Sequence, residues 1–216
     1  MKNDLVSYYH QRAKEYEKIY SKPERQNDIL QSAEQLQDLF RDKDIFEIAC
    51  GTGFWTQFIS QSARSVLATD VNLAVIEIAR QKKISNPAVV FEVADLYKFN
   101  PDKKFQSVFG GFIWSHILKQ DLPQFYKTLN SFVGKDGTIV LMDNRYVEGS
   151  NHPITRTDEF GNTYQVRKLE DGSTHEVLKN FATEEFLKQV LEGLGAELVF
   201  IPLNYFWILS YKPITS

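Results

Sequence analysis

Residues 45–56, Ile-Phe-Glu-Ile-Ala-Cys-Gly-Thr-Gly-Phe-Trp-Thr, restrict the folding of this chain more than any other stretch. An apolar run carrying one acid, Glu47, collapses into a turn of small residues, and apolar spacing at 54, 55, 58 and 59 then predicts a helix. A strand, a glycine turn and a helix N-terminus in that order expose backbone N–H groups and a positive dipole end, suiting a carboxylate, hydroxyl or phosphate on a bound small molecule.

Two further strands end on acids. Val66-Leu-Ala-Thr-Asp70 stops on a carboxylate placed for the two hydroxyls of a ribose, and Val89-Val-Phe-Glu-Val-Ala94 leads to Asp95. A Gly-x-Gly alone is an ordinary turn, and an acid at a strand end is ordinarily a cap. Three such ends in register along alternating strands and helices match the crevice rule for open α/β sheets.

The set Glu47-Ile-Ala-Cys-Gly-Thr-Gly53, Asp70, Ala94-Asp95 and Gly137-Thr-Ile-Val-Leu-Met-Asp143 resembles the class I S-adenosylmethionine-dependent methyltransferases over roughly residues 40–216. Tyr8-Tyr-His-Gln-Arg-Ala-Lys-Glu-Tyr16 also resembles the N-terminal cap helix of small-molecule members. The resemblance implies S-adenosylmethionine as cofactor and S-adenosylhomocysteine as product. It places Gly51 and Gly53 under the methionine moiety, with Glu47 fixing the loop or meeting the amino group through water. Asp70 would take the ribose, Asp95 the adenine amino group, and the Leu96 N–H the adenine ring. Ala49, Thr52, Trp55, Val71, Gly111, Phe112 and Tyr16 would complete the cofactor site. The chain departs from the family at Ala49, where the first loop glycine belongs, and at Gln106, where strand four commonly starts on an acid.

A dinucleotide-dependent oxidoreductase is the rival on the same architecture. Its fingerprint needs a third glycine where helix meets strand, and Phe54-Trp55-Thr56 puts bulk there. A second alternative keeps the methyltransferase-like fold as a non-catalytic binding or interaction module. Intact Gly51, Gly53, Asp70 and Asp95 favour the enzyme, because a module that binds no cofactor has no physical need of them.

The 216 residues, 43% hydrophobic, suffice for one α/β domain with a sizeable core. A net charge of −3 does not favour nucleic-acid or anionic-membrane partners, so small neutral or mixed-charge molecules are expected. A lone Cys50, no apolar run near 18 residues and a polar N-terminus suggest a soluble cytoplasmic protein, monomer or homodimer. Cys50 has no base paired with it and reads as a small turn residue. No metal-ligand spacing is present.

The expected fold is a doubly wound, Rossmann-like, seven-stranded and mostly parallel sheet with an antiparallel terminal strand. Residues 1–41 form a helical cap, with helices near 3–20 and 24–41. Residues 42–143 form the cofactor core, with a helix 72–83 capped by Asn72, strand four at 105–109, a helix from Asp121 to about Val133, and strand five at 137–142. Residues 144–180 form an inserted β-hairpin lobe turning at Asp171-Gly172, and 181–216 a Thr183-capped helix to Leu194-Gly195 and a terminal strand hairpin.

The lobe leaves strand five at the sheet edge that holds the glycine turn, so it should roof the acceptor. Tyr8, Tyr9, Tyr16, His116, Asp143, Asn144 and Arg145 are expected around that acceptor, lining an aromatic pocket. For the tyrosines the alternative is cap-helix packing, and for Asp143 with Arg145 an ion pair closing the loop. His116, just beyond strand four, is the candidate base if the acceptor is a hydroxyl, with a structural hydrogen bond as its alternative. His10, His152 and His175 are expected to be solvated. His116, Asp143 and Arg145 are thus the candidate catalytic residues.

Overall fold

The structure, a computed structural model, describes Glu17, residues 19–169 and 172–214. A 3-10 turn at Pro23–Arg25 leads into α1 (Gln26–Phe40), whose buried Ile29, Ala33, Leu36 and Phe40 recur at helical spacing. Then follow β1 (Asp44–Ile48), the glycine turn, α2 (Thr56–Ile59), β2 (Ser65–Asp70), α3 (Leu73–Arg80), β3 (Val89–Val93) and β4 (Phe105–Gly111). Two more 3-10 turns, Trp114–His116 and Lys119–Asp121, precede α4 (Leu122–Phe132) and β5 (Val133–Asn144).

Seven strands form one sheet in the order β3-β2-β1-β4-β5-β10-β9, where β9 is Gly195–Pro202 and β10 Phe206–Pro213. The pairs among β1 to β5 are parallel, and β10 runs antiparallel to both neighbours. Strand order reverses between β1 and β4, which opens a crevice at the carboxyl ends of those strands. Period-two alternation in β1 sends Phe46 and Ile48 to one apolar core and Ile45 to the other, so both sheet faces are covered.

Two caps hold as the sequence suggests: the Asn72 side chain accepts from the Ala74 N–H, and Thr183 accepts from Phe186 N–H. Some helices are shorter than their apolar spacing implies. The helix after the glycine turn spans only Thr56–Ile59, α3 stops at Arg80, and α5 (Glu184–Val190) gives way to turns before β9. The predicted helix near 3–20 lies almost wholly outside the described residues.

The inserted lobe is more than a hairpin. β6 (Arg156–Thr157), β7 (Thr163–Lys168) and β8 (Thr174–Leu178) make a three-stranded antiparallel sheet, with Gly172 at φ +87 in the β7–β8 loop; Asp171 lies outside the described residues. Asn180 fastens this sheet to the core: its Nδ2 donates to the Ile117 carbonyl, its backbone N–H to the Ser115 carbonyl, and its Oδ1 accepts from Thr163 N–H. The lobe is thereby docked beside the Trp114–His116 turn. No helix among the described residues is long and apolar enough to cross a membrane.

Candidate active site

The glycine turn takes left-handed backbone at three positions, Ala49 (φ +49), Gly51 (φ +56) and Gly53 (φ +75). A Cβ on Gly53 would fall 3.1 Å from Phe91 and 3.2 Å from Ala79, so that glycine serves both the turn and close packing. Ala49 tolerates the same region at a cost of roughly 1–2 kcal/mol for an L-residue.

Carboxylates hold the turn from both sides. Asp70, at the end of β2, accepts from the Gly51 N–H at 3.0 Å and the Asn72 N–H at 2.9 Å. Burial raises its carboxyl above the usual range, while those N–H donors pull it back. Glu47 is only 2% exposed, and the Thr56 hydroxyl donates to it at 2.7 Å. Burial pushes Glu47 up to about 8 against that hydrogen bond, so it is largely a neutral acid at pH 7. Cys50 is buried as well, and burial, with Glu47 and Asp70 nearby, lifts its thiol well above the ordinary value. It is a packing residue, not a nucleophile.

From the other side, the Thr52 hydroxyl donates to Glu17 at 2.6 Å, and Lys82 pairs with Glu17 at 2.7 Å. At the tip of β3, Asp95 accepts from Tyr97 N–H at 3.0 Å and lies 3.6 Å from Lys98, capping its own turn. Asp70 and Asp95 thus stand at the ends of neighbouring strands, with the glycine turn beside Asp70.

Aromatic side chains join this cradle to a second space. Tyr20 stacks on Phe54 at 3.8 Å, and its hydroxyl accepts from the Trp55 indole at 3.3 Å. Phe112, at φ +61, stacks on Trp55 and meets Phe206 edge-on. Tyr20, Phe112 and Phe206 form one wall of a cavity of about 230 Å³. The rest of its lining includes Lys22, Arg25, His116, Asn144, Ser150, His152, Gln165, Arg167 and Lys179.

Of the residues expected around an acceptor, His116 and Asn144 line this cavity. Tyr8, Tyr9, His10 and Tyr16 lie outside the described residues. His116 Nδ1 donates to the Leu178 carbonyl at 2.7 Å, because a carbonyl only accepts. Burial, with Lys179 nearby, holds the imidazole well below its ordinary value and therefore neutral at pH 7.

Asp143 and Arg145 are corrected. Asp143 is buried behind the cavity and its oxygens are taken by Lys179 at 3.0 Å and by the Ser115 and Asn144 N–H groups. Burial alone would raise its carboxyl, but these partners outweigh that and lower it. It therefore stays ionised, with both oxygens committed to these partners and neither lining the cavity. Arg145 is exposed and reaches back to the Leu203 carbonyl, fastening the β9–β10 turn. The ion pair that closes this region is Asp143 with Lys179, not with Arg145.

A methyltransferase domain is matched over residues 45–137. The chain is 27% identical over 164 residues to malonyl-[acyl-carrier protein] O-methyltransferase 1 of Ilyobacter polytropus, covering 72% of this chain and 60% of that protein. DhpI in its complex with SAH superposes with a TM-score of 0.79 at 25% identity, covering 96% of this chain and 94% of that one. A DhpI–SAM–HEP complex superposes equally well at 24% identity. The chain thus carries a methyltransferase domain on the fold of the S-adenosylmethionine-dependent methyltransferases. It spans about three fifths of the length of the curated O-methyltransferase that it matches.

The glycine turn and the carboxylates beside it follow from the sequence motifs, whereas the lining of the neighbouring cavity does not. Arg25 lies in the segment expected as a helix over 24–41, and Gln165, Arg167 and Lys179 in the lobe expected to roof the acceptor, but none of the four stands out there as a site residue. The one available signal was the alternation in β7, and it points the wrong way: Val166 is 44% exposed while Gln165 and Arg167 face inward, buried. His152 also lines the cavity rather than being merely solvated, and its carbonyl accepts from Gln165 at 2.6 Å.

Proposed function

We propose that this protein transfers a methyl group from S-adenosylmethionine to a small-molecule acceptor held in the cavity walled by Tyr20, Phe112 and Phe206. The observation that carries this reading is the glycine turn held between Glu47 and Asp70, with Phe54 and Trp55 just after it packed on Tyr20 of the cavity wall.

The residues present suit the cofactor. A carboxylate offers about four lone-pair sites, and Asp70 spends two on the Gly51 and Asn72 N–H groups, leaving acceptors for ribose hydroxyls. Asp95 is the acceptor for the adenine amino group, with the Leu96 N–H beside it for the ring. Glu47 orders the turn through Thr56. When bound, S-adenosylmethionine supplies an already activated methyl group, so little covalent chemistry is left to the protein.

Alignment is what remains for the chain. The aromatic wall and the docked lobe confine the acceptor, and holding reactants in line is worth about 7–11 kcal/mol in favourable systems. His116, neutral and with its Nδ1–H held by the Leu178 carbonyl, lines the same cavity and is the candidate to take a hydroxyl proton.

Titration calorimetry with S-adenosylhomocysteine tests the reading. The wild type is expected to bind and Asp70→Ala to bind at least tenfold more weakly, since a hydrogen bond to a charged group contributes about 1.5–3 kcal/mol. Equal affinity in Asp70→Ala overturns the ribose assignment, and no binding by the wild type overturns the cofactor itself.

A further inference from the structure

The cavity beside the cofactor cradle has an unusual charge. Lys22, Arg25, Arg167 and Lys179 line it, and among the described lining residues there is no carboxylate. Lys179 is balanced by Asp143 directly behind it. Arg25, 2% exposed, donates to Asn144 and Ser150, lies over the Tyr205 and Phe206 rings and is near the Glu24 and Asp28 carboxylates, which do not line the cavity, whereas Arg167, 8% exposed, donates to the neutral Gln165 amide oxygen and has no ion pair among the described residues. The Nε of each guanidinium is buried with no hydrogen-bond partner. A buried cation without a paired counter-charge costs several kcal/mol, so a fold that turns Arg167 into a space it shares with Lys22, Arg25 and Lys179, and lines that space with no carboxylate among the described residues, is arranged for something that supplies negative charge there.

Three of the four cations come from separate parts of the chain: Arg25 from the approach to α1, Arg167 from β7 and Lys179 from the residue after β8. In β7 the ordinary pattern is inverted to achieve this, with Val166 turned to solvent so that Gln165 and Arg167 face inward. A lobe added merely for packing would face the other way. The cavity, of about 230 Å³, suits a small molecule.

We infer that the acceptor is a small molecule carrying a multi-oxygen anion, held between Arg25, Arg167 and Lys179 with its less polar part against Tyr20, Phe112 and Phe206. This deepens the methyl-transfer reading and rests on it for the word acceptor, but the anion site stands on its own geometry. Guanidinium forks suit planar carboxylates and tetrahedral phosphorus oxyanions alike, through paired N–H donors.

Calorimetry on the full chain, loaded with S-adenosylhomocysteine, distinguishes the possibilities with four probes: inorganic phosphate, methylphosphonate, propionate and uncharged propionamide. At least one anion is expected to bind, propionamide is not, and Arg167→Gln and Arg25→Gln are each expected to weaken the anion at least tenfold. Arg167→Lys, which keeps the charge but not the fork, should recover part of that loss, and unchanged affinity for S-adenosylhomocysteine in each variant reports an intact fold. Tighter binding of methylphosphonate or phosphate assigns a tetrahedral group, and tighter binding of propionate a planar one. Protein that binds S-adenosylhomocysteine but none of the three anions, or glutamine variants that bind the anion as well as wild type, overturns the anion site while leaving the methyltransferase reading intact. Anion binding in protein that does not bind S-adenosylhomocysteine would overturn only the methyltransferase reading.

Discussion

The Lys179 ammonium lies 3.0 Å from the Asp143 carboxylate, with both side chains at least 95% buried, and this pair joins the inserted lobe to the end of the central strand β5. The Ser115 hydroxyl and two backbone N–H groups complete the network. Breaking a buried pair leaves one charge without compensation, which costs about 3–5 kcal/mol, while replacing both members by apolar residues costs far less. Lys179→Met should therefore destabilise by about that amount in urea melts, and the double variant Asp143→Leu/Lys179→Met should be more stable than the single. A single variant within about 1 kcal/mol of wild type would show that the pair does not hold the lobe.

Asn180 provides a second, uncharged tie between lobe and core. It is 1% exposed and serves Ile117, Ser115 and Thr163 at once. Asn180→Ala leaves the Ile117 carbonyl and the Thr163 N–H without their partners, at about 1–3 kcal/mol for each buried group so stranded. Because these contacts border the cavity, amide exchange in residues 163–178 should accelerate more than in β1 or β4. Uniform acceleration across the chain would mean that the lobe unfolds only with the core.

Glu47 gives a pH dependence of definite sign. Its pKa is about 8 in the folded chain against 4.5 for an ordinary glutamic acid, so the folded state holds a proton that the unfolded state releases. The stabilisation is present in full below about pH 4.5 and is lost as pH rises through about 8, at up to roughly 1.4 kcal/mol per pH unit. Glu47→Gln mimics the neutral acid and cannot ionise. The stability of wild type relative to Glu47→Gln should fall steadily between pH 5 and 8 in denaturant titrations, and a flat difference over that range would place the ionised form in the folded chain.

How far the sequence speaks depends on whether side chains serve the fold alone or the fold and a ligand. Ile45, Phe46 and Ile48 obey the period of a buried strand, and a seven-stranded, mostly parallel sheet followed from such segments because burial and periodicity agreed. The Gly51–Gly53 turn was legible because its backbone geometry restricts residue type. β7 was not, because Gln165 and Arg167 are buried at the cost of exposing Val166, so a hydrophobicity pattern assigns its faces in reverse. Overall charge is silent on the cavity for a related reason: a net −3 averages over the whole chain and conceals the four cations around one space. Asp143 and Arg145 were paired because they are close in sequence, whereas the pairing of Asp143 with Lys179 arises only when β8 docks on the core.

Gly53 separates the demands of backbone and packing at the cofactor turn. Its φ of +75 strains any L-residue by about 1–2 kcal/mol, and a Cβ would lie 3.1–3.2 Å from Phe91 and Ala79. Phe91 sits on the edge strand β3 and has room to shift by a few tenths of an ångström, so the fold should survive. Gly53→Ala is then expected to lose about 2–3 kcal/mol in stability, from the backbone strain plus overpacking of about 1 kcal/mol or more. Trimming the neighbour tests the division directly. Phe91→Leu in the Gly53→Ala background should recover the packing part but not the strain. Full recovery would mean that contact with Phe91 is the whole reason for a glycine at this position, and no recovery would mean that the left-handed backbone is.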